Sequence, residues 1–117
     1  MRYAVLVLAT MLFPCFAIAA EVGQFINPAT SDSVTVRLTP SGNNYNVRID
    51  TRKGNGKCLF DHVMKEANEG DLRYFDAPDC ALQVLESDPR NLSVTVIDCS
   101  SFCTGTATLR ISHAVKE

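Results

Sequence analysis

From residue 33 onward, apolar side chains fall at every second position, and this alternation limits the possible folds more than any other feature. Val34, Val36 and Leu38 alternate through Ser33 to Thr39, and Tyr45, Val47 and Ile49 through Asn44 to Thr51. A period of two puts one side of each segment in a core and the other in water, as in half-buried strands. Pro40-Ser41-Gly42-Asn43 separates the two segments as a turn, so they read as a hairpin. Arg52 to Lys57 carries Gly54-Asn55-Gly56, residues that tolerate positive φ, and reads as the next turn.

Lys57 to Glu66 follows with Cys58, Phe60, His62 and Met64 on one face. Leu59 and Val63 break the alternation, which fits a strand covered on both sides or a partly helical stretch. A turn at Ala67-Asn68-Glu69-Gly70 leads to a short strand, Leu72 to Phe75. Cys80 to Glu86 carries Leu82 and Val84; after a loop at Ser87 to Asn91, Leu92 to Asp98 returns with Leu92, Val94 and Val96. Pairing 82 with 96 and 84 with 94 sets apolar against apolar, so this register is self-consistent. The last strand is expected at Thr106 to Ser112 with Ala107, Leu109 and Ile111 inward, followed by a frayed tail from His113. Residues 21 to 33 read as an extended entry with a short edge strand at Gln24 to Asn27. No segment has a sustained 3.6-residue period. The expectation is all-β: about seven strands in a small antiparallel meander, closed as a barrel or folded as a sandwich.

The first twenty residues are different. Arg2 precedes an uncharged apolar stretch from Ala4 to Phe16, and Ala17-Ile18-Ala19 supplies small residues where signal peptidase needs them. Cleavage after Ala19 or Ala20 fits. The stretch is short for a membrane anchor, and Pro14 before Cys15 spoils a lipoprotein signal. The organisation expected is a signal peptide over 1–20 and a single disulfide-bonded β domain over 21–117, periplasmic or secreted, with no membrane span after cleavage. That mature domain carries ten basic and thirteen acidic side chains, a net charge of −3. It has no basic cluster, so a nucleic-acid partner is not expected.

Four cysteines remain after the leader: Cys58, Cys80, Cys99 and Cys103. In a small exported domain they read as two disulfides; only Cys99 and Cys103 are close enough in sequence to resemble half of a zinc site. Four cysteines allow three pairings. Hairpin register favours Cys58 with Cys80 and Cys99 with Cys103. The rival is Cys80 with Cys99 and Cys58 with Cys103.

Catalytic chemistry finds no frame here. His62 follows Asp61, but in a strand the two side chains point to opposite faces. No G-x-S-x-G elbow, EF-hand or phosphate loop occurs. Acidic residues gather from Asp61 to Asp79, yet a chain without Trp is a poor frame for a glycosidase cleft. That run reads as a solvated face, or as a charged surface for a basic partner. Asn91-Leu92-Ser93 matches a glycosylation sequon. No catalytic residue, metal or cofactor is expected, and the chain is read as non-enzymatic.

The run Lys57-Cys58-Leu59-Phe60, Cys80-Ala81-Leu82, Val94-Thr95-Val96 and Cys99-Ser100-Ser101-Phe102-Cys103-Thr104-Gly105 resembles a group of small exported proteobacterial proteins. These end in a strand, a C-x-x-x-C corner, a glycine and a final strand; here Thr104 precedes the glycine. In build the chain is also similar, more distantly, to periplasmic lysozyme inhibitors, which insert loops into the cleft of a basic wall-degrading hydrolase. What this implies is a binding protein, an inhibitor or immunity-type protein with a protein partner such as a cell-wall hydrolase. The alternatives are an envelope structural or accessory protein and, third, a small hydrolase. Loops on a rigid scaffold usually carry binding, so the contact candidates are Asn68, Glu69 and Asp71 at one hairpin tip and Asp88 and Arg90 at another.

Overall fold

The computed structural model describes residues 21–40, 44–76 and 79–117; residues 1–20 with Cys15, on which the signal-peptide reading falls, and residues 41–43, on which the expected turn falls, lie outside the described residues. Eight strands run in chain order: β1 (Gly23–Ile26), β2 (Ser33–Leu38), β3 (Asn44–Lys53), β4 (Gly56–Asn68), β5 (Asp71–Asp76), β6 (Cys80–Asp88), β7 (Asn91–Asp98) and β8 (Ile111–Lys116). Each is antiparallel to the next, and β8 returns to pair with β1, so the sheet closes into a barrel. Closure settles barrel against sandwich. It also means that β1 is not an edge strand, which leaves no open row of N–H and C=O groups there.

The alternation read from the sequence sets the registers. Val34 faces Ile49 and Val36 faces Val47 in the β2–β3 pair, while Leu82 faces Val96 and Val84 faces Val94 in the β6–β7 pair. The inward residues fill the barrel, as expected for eight strands. Phe25, Val34, Val47, Ile49, Phe60, Met64, Leu72, Leu92 and Ala114 are at most 1% exposed. Leu38 is inward in phase but lies at the barrel mouth, and is 54% exposed.

Four further expectations are corrected. Leu59 and Val63 do not mark a covered or helical stretch; β4 is a strand throughout, and both residues point outward and are exposed. The last strand is Ile111–Lys116, not 106–112, and the tail is not frayed. Ala114 is fully buried, and His113 Nε2 lies 2.7 Å from Asn91 Oδ1. The loop expected at Ser87 to Asn91 is a tighter turn, because β6 extends to Asp88 and β7 starts at Asn91.

The fourth correction is the disulfide pairing. Cys58 bonds Cys103 and Cys80 bonds Cys99. The favoured pairing assumed that β5 runs along all of β4. It does not: β4 has thirteen residues and β5 six, and their register spans only Lys65↔Arg73 to Asn68↔Asp71. Along the lower half of β4, β5 is replaced by the corner after β7. There Cys58 forms an isolated antiparallel bridge with Cys103, and Thr104 N donates to Lys57 O at 2.8 Å. The approach is so close that a Cβ on Gly56 would overlap the Thr104 carbonyl oxygen. The chain then crosses the same barrel end: Leu109 is buried, and buried Thr51 donates its Oγ1 to Thr108 O at 2.7 Å. Cys80 faces Asp98 in the β6–β7 ladder, which brings Cys99 beside it.

Candidate binding rim

An up-and-down barrel alternates its turns between two ends. One end is closed by the corner after β7. The other carries the β4–β5 turn, the β6–β7 turn, the start of β1 and the end of β8. The two hairpin tips singled out from sequence therefore share one rim. Between them lies a depression of about 310 Å³, lined by the acidic residues Glu21, Glu69, Glu86 and Asp88, with Gly70 and Pro89.

Local chemistry shapes each tip. Gly70 has φ 72°, a left-handed value that suits glycine. Its carbonyl accepts from Glu86 N at 2.8 Å, tying the β4–β5 turn to β6. Glu66 accepts from Gly70 N at 3.3 Å and from the Tyr45 hydroxyl at 3.4 Å. Asn68 and Glu69 are exposed at the tip. At the other tip, Asp88 Oδ1 accepts from Arg90 N at 2.8 Å and from Asn91 Nδ2 at 2.9 Å. The Arg90 N–H bond, then the Asn91 amide, holds the exposed Asp88 carboxyl below its ordinary pKa. Arg90 Nη2 donates to Lys116 O at 3.1 Å, joining this turn to β8.

Asp71 is placed differently from the other sequence candidates. It is buried just below the tip, its two oxygens gripped by Arg73 Nε at 3.2 Å and Nη2 at 2.9 Å. Gln83 Nε2 adds a third donor at 3.0 Å. The Arg73 hydrogen bond, chiefly, lowers its pKa despite burial. Its lone pairs are engaged within the sheet, so it positions β5 against β6.

Glu86 was not among the sequence candidates. Partial burial is the main cause that raises its pKa, and the nearby Glu21 and Glu66 carboxylates add to it. Glu21 N donates to its Oε2 at 2.6 Å, and Lys116 opposes the rise. Sequence alone shows Glu86 as an ordinary strand-end glutamate; its partial burial and its closeness to Glu21 and Glu66 follow only from the fold.

Two other surfaces stand out. On the outside of β5, β6 and β7, Phe75 faces Ala81 and Ala81 faces Ile97. Phe75 is 75% and Ile97 68% exposed, beside a depression of about 470 Å³. Both were legible as apolar residues out of phase with the inward sets of their strands. His62 is inward in phase, but it is exposed where β5 leaves β4. Its ring lies 5.1 Å from that of Phe60 and 5.4 Å from those of Tyr74 and Phe102.

Among the described residues, no group of three or more His, Cys, Asp or Glu is placed to hold a metal ion, and no helix is long and apolar enough to cross a membrane. Compared with known proteins, the chain matches no family model, no curated protein and no solved structure.

Proposed function

We propose that this chain is an exported, non-enzymatic binding protein that meets a basic protein partner through its acidic turn rim. Two disulfides are compatible with an oxidising compartment, and the leader pattern agrees with export. The observation that carries the reading is the convergence of the Glu69 and Asp88 turns, with Glu21 and Glu86, around one depression. Carboxylates crowded at one end of a rigid barrel attract a cationic surface and speed its encounter. A basic cell-wall hydrolase fits that chemistry, with this chain as its inhibitor or immunity-type partner. Glu69, Asn68, Asp88 and Arg90 form the contact set, and Asp71 holds the scaffold beneath them.

The test is capture by the oxidised chain 21–117 of basic lysozymes and of hydrolases in an envelope extract. Capture that weakens with Glu69→Lys and with added salt supports the reading. Capture of nothing by a correctly bonded sample removes it.

A second reading, an envelope accessory protein, draws support from the exposed Phe75 and Ile97, which flank half-buried Ala81 in one row. Apolar rows of this kind mark protein contacts when they are contiguous. Association that survives Glu69→Lys but is lost in the Phe75→Ser, Ile97→Thr double variant selects this reading over the first.

A further inference from the structure

Glu21 touches two strands besides the one it leads into. Its backbone N–H donates to Glu86 Oε2 on β6 at 2.6 Å, and its carboxylate meets Lys116 Nζ on β8 at 3.5 Å. The seam it spans is a thin one. The β1–β8 register has two residue pairs, Phe25↔Lys116 and Ile26↔Val115, against ten for β3–β4.

The charge balance at this point is poor. Glu86 is crowded by Glu66 from β4 and by the Glu21 carboxylate, with Lys116 from β8 as the nearby cation. Glu69 and Asp88 line the same depression. A peptide N–H at Glu21 gives Glu86 one neutral donor. An amine at the same nitrogen would give it a positive charge and further N–H donors, and charge-assisted bonds are roughly twice as strong as neutral ones. Ala20 is one of the two residues after which the leader pattern fits cleavage.

We propose that signal peptidase cuts between Ala20 and Glu21, and that the α-ammonium so released pairs with the Glu86 carboxylate, so that processing completes the barrel's closure at the turn rim. The proposal rests on the export reading above. The cut is a hydrolysis: the Ala20–Glu21 C–N bond breaks, water supplies the oxygen of a new carboxylate on Ala20, and the Glu21 nitrogen takes up the protons. A cut after Ala19 would place the charge one residue upstream, on Ala20; the Glu21 nitrogen is the atom already at bonding distance. The pair joins the start of β1 to β6, while the Glu21 side chain holds β8 through Lys116.

Two measurements test the two halves. The intact mass of the exported, oxidised protein is expected to correspond to a chain starting at Glu21; a start at Ala20 or elsewhere overturns the cut. The chain starting at Glu21, freed from a fusion by a protease that leaves no extra residue, is then titrated by NMR. Its α-amino pKa is expected about one unit above the ordinary ~7.7–8.0, returning to that range in Glu86→Gln. N-terminal acetylation is expected to lower the Tm by about 5 °C in the wild type and to leave Glu86→Gln unmoved. An amine that titrates in its ordinary range in the wild type overturns the ion pair. A protein found wholly in the cytoplasm defeats the export reading and the cut together, an exported pool that keeps residues 1–20 defeats the cut alone, and the titration judges the pair independently of export.

Discussion

Asp71 and Gly56 carry structural duties that their residue types do not announce. Asp71 is fixed by Arg73 and Gln83, and its pKa lies below the ordinary 3.8. A depressed carboxylate adds stability that is fully present above the unfolded value and is lost as pH falls through the folded one. Asp71→Ala is therefore expected to cost about 1–2 kcal/mol at neutral pH. In urea melts the gap to wild type should shrink below about pH 3.8; a gap of the same size at pH 7 and pH 2.5 would contradict the assignment. Gly56 is needed because the Thr104 backbone presses on it. Gly56→Ala should destabilise by roughly 1–3 kcal/mol, as overpacking does, whereas Gly54→Ala meets no neighbour and suffers from its left-handed φ of 59°. Chemical denaturation separates these causes: Asn, which tolerates the left-handed backbone, should cost less than Ala at position 54, whereas at the crowded position 56 it should cost at least as much as Ala.

At the scale of elements, the hairpins were readable and the long-range returns were not. Val34, Val36, Val47 and Ile49 announce their pairing because phase and a short turn leave one register. The same holds for Leu82, Val84, Val94 and Val96. The disulfides escaped this reasoning because they depend on which element lies along the lower half of β4. Alternation says which face a residue takes, but not where a thirteen-residue strand loses its six-residue neighbour. The corner that fills the gap is held by Thr104 and Gly56, a contact between residues far apart in sequence. The last strand was misplaced for a related reason. Ala107, Leu109 and Ile111 have strand phase, yet the chain there crosses the barrel end and pairs with β7 only from Ile111. The two bridges close loops of different length, with sequence separations of 45 for Cys58–Cys103 and 19 for Cys80–Cys99. On the chain-entropy account they contribute about 4 and about 3 kcal/mol. Replacing Cys58 and Cys103 together by Ser should lower the urea midpoint more than replacing Cys80 and Cys99. A non-reducing peptide map should yield Cys58 joined to Cys103; a peptide joining Cys58 to Cys80 would overturn the topology of the barrel's closed end.

For the whole molecule, one end of the barrel is stapled and covered while the other gathers turns, the start of β1, the end of β8 and carboxylates. The candidate tips Asn68–Glu69 and Asp88–Arg90 were legible as turns from glycine, proline and acidic residues. Their sharing of one rim was not, because it follows from strand count and closure. Glu21 and Glu86 were invisible as site residues for the same reason: neither belongs to a motif, and each matters through the other. The outer row of Phe75, Ala81 and Ile97 gives the molecule a second exposed surface on its side, away from the rim.

The central claim is that the acidic rim binds a basic partner protein. It is tested most directly by titrating a panel of basic cell-wall hydrolases with the oxidised chain 21–117 and measuring their activity at low and high salt. The expected result is loss of activity of at least one hydrolase at one equivalent, weakened by salt and by Glu69→Lys and unchanged in the Phe75→Ser, Ile97→Thr variant. Full hydrolase activity at every ratio, with no complex formed at low salt, would contradict it.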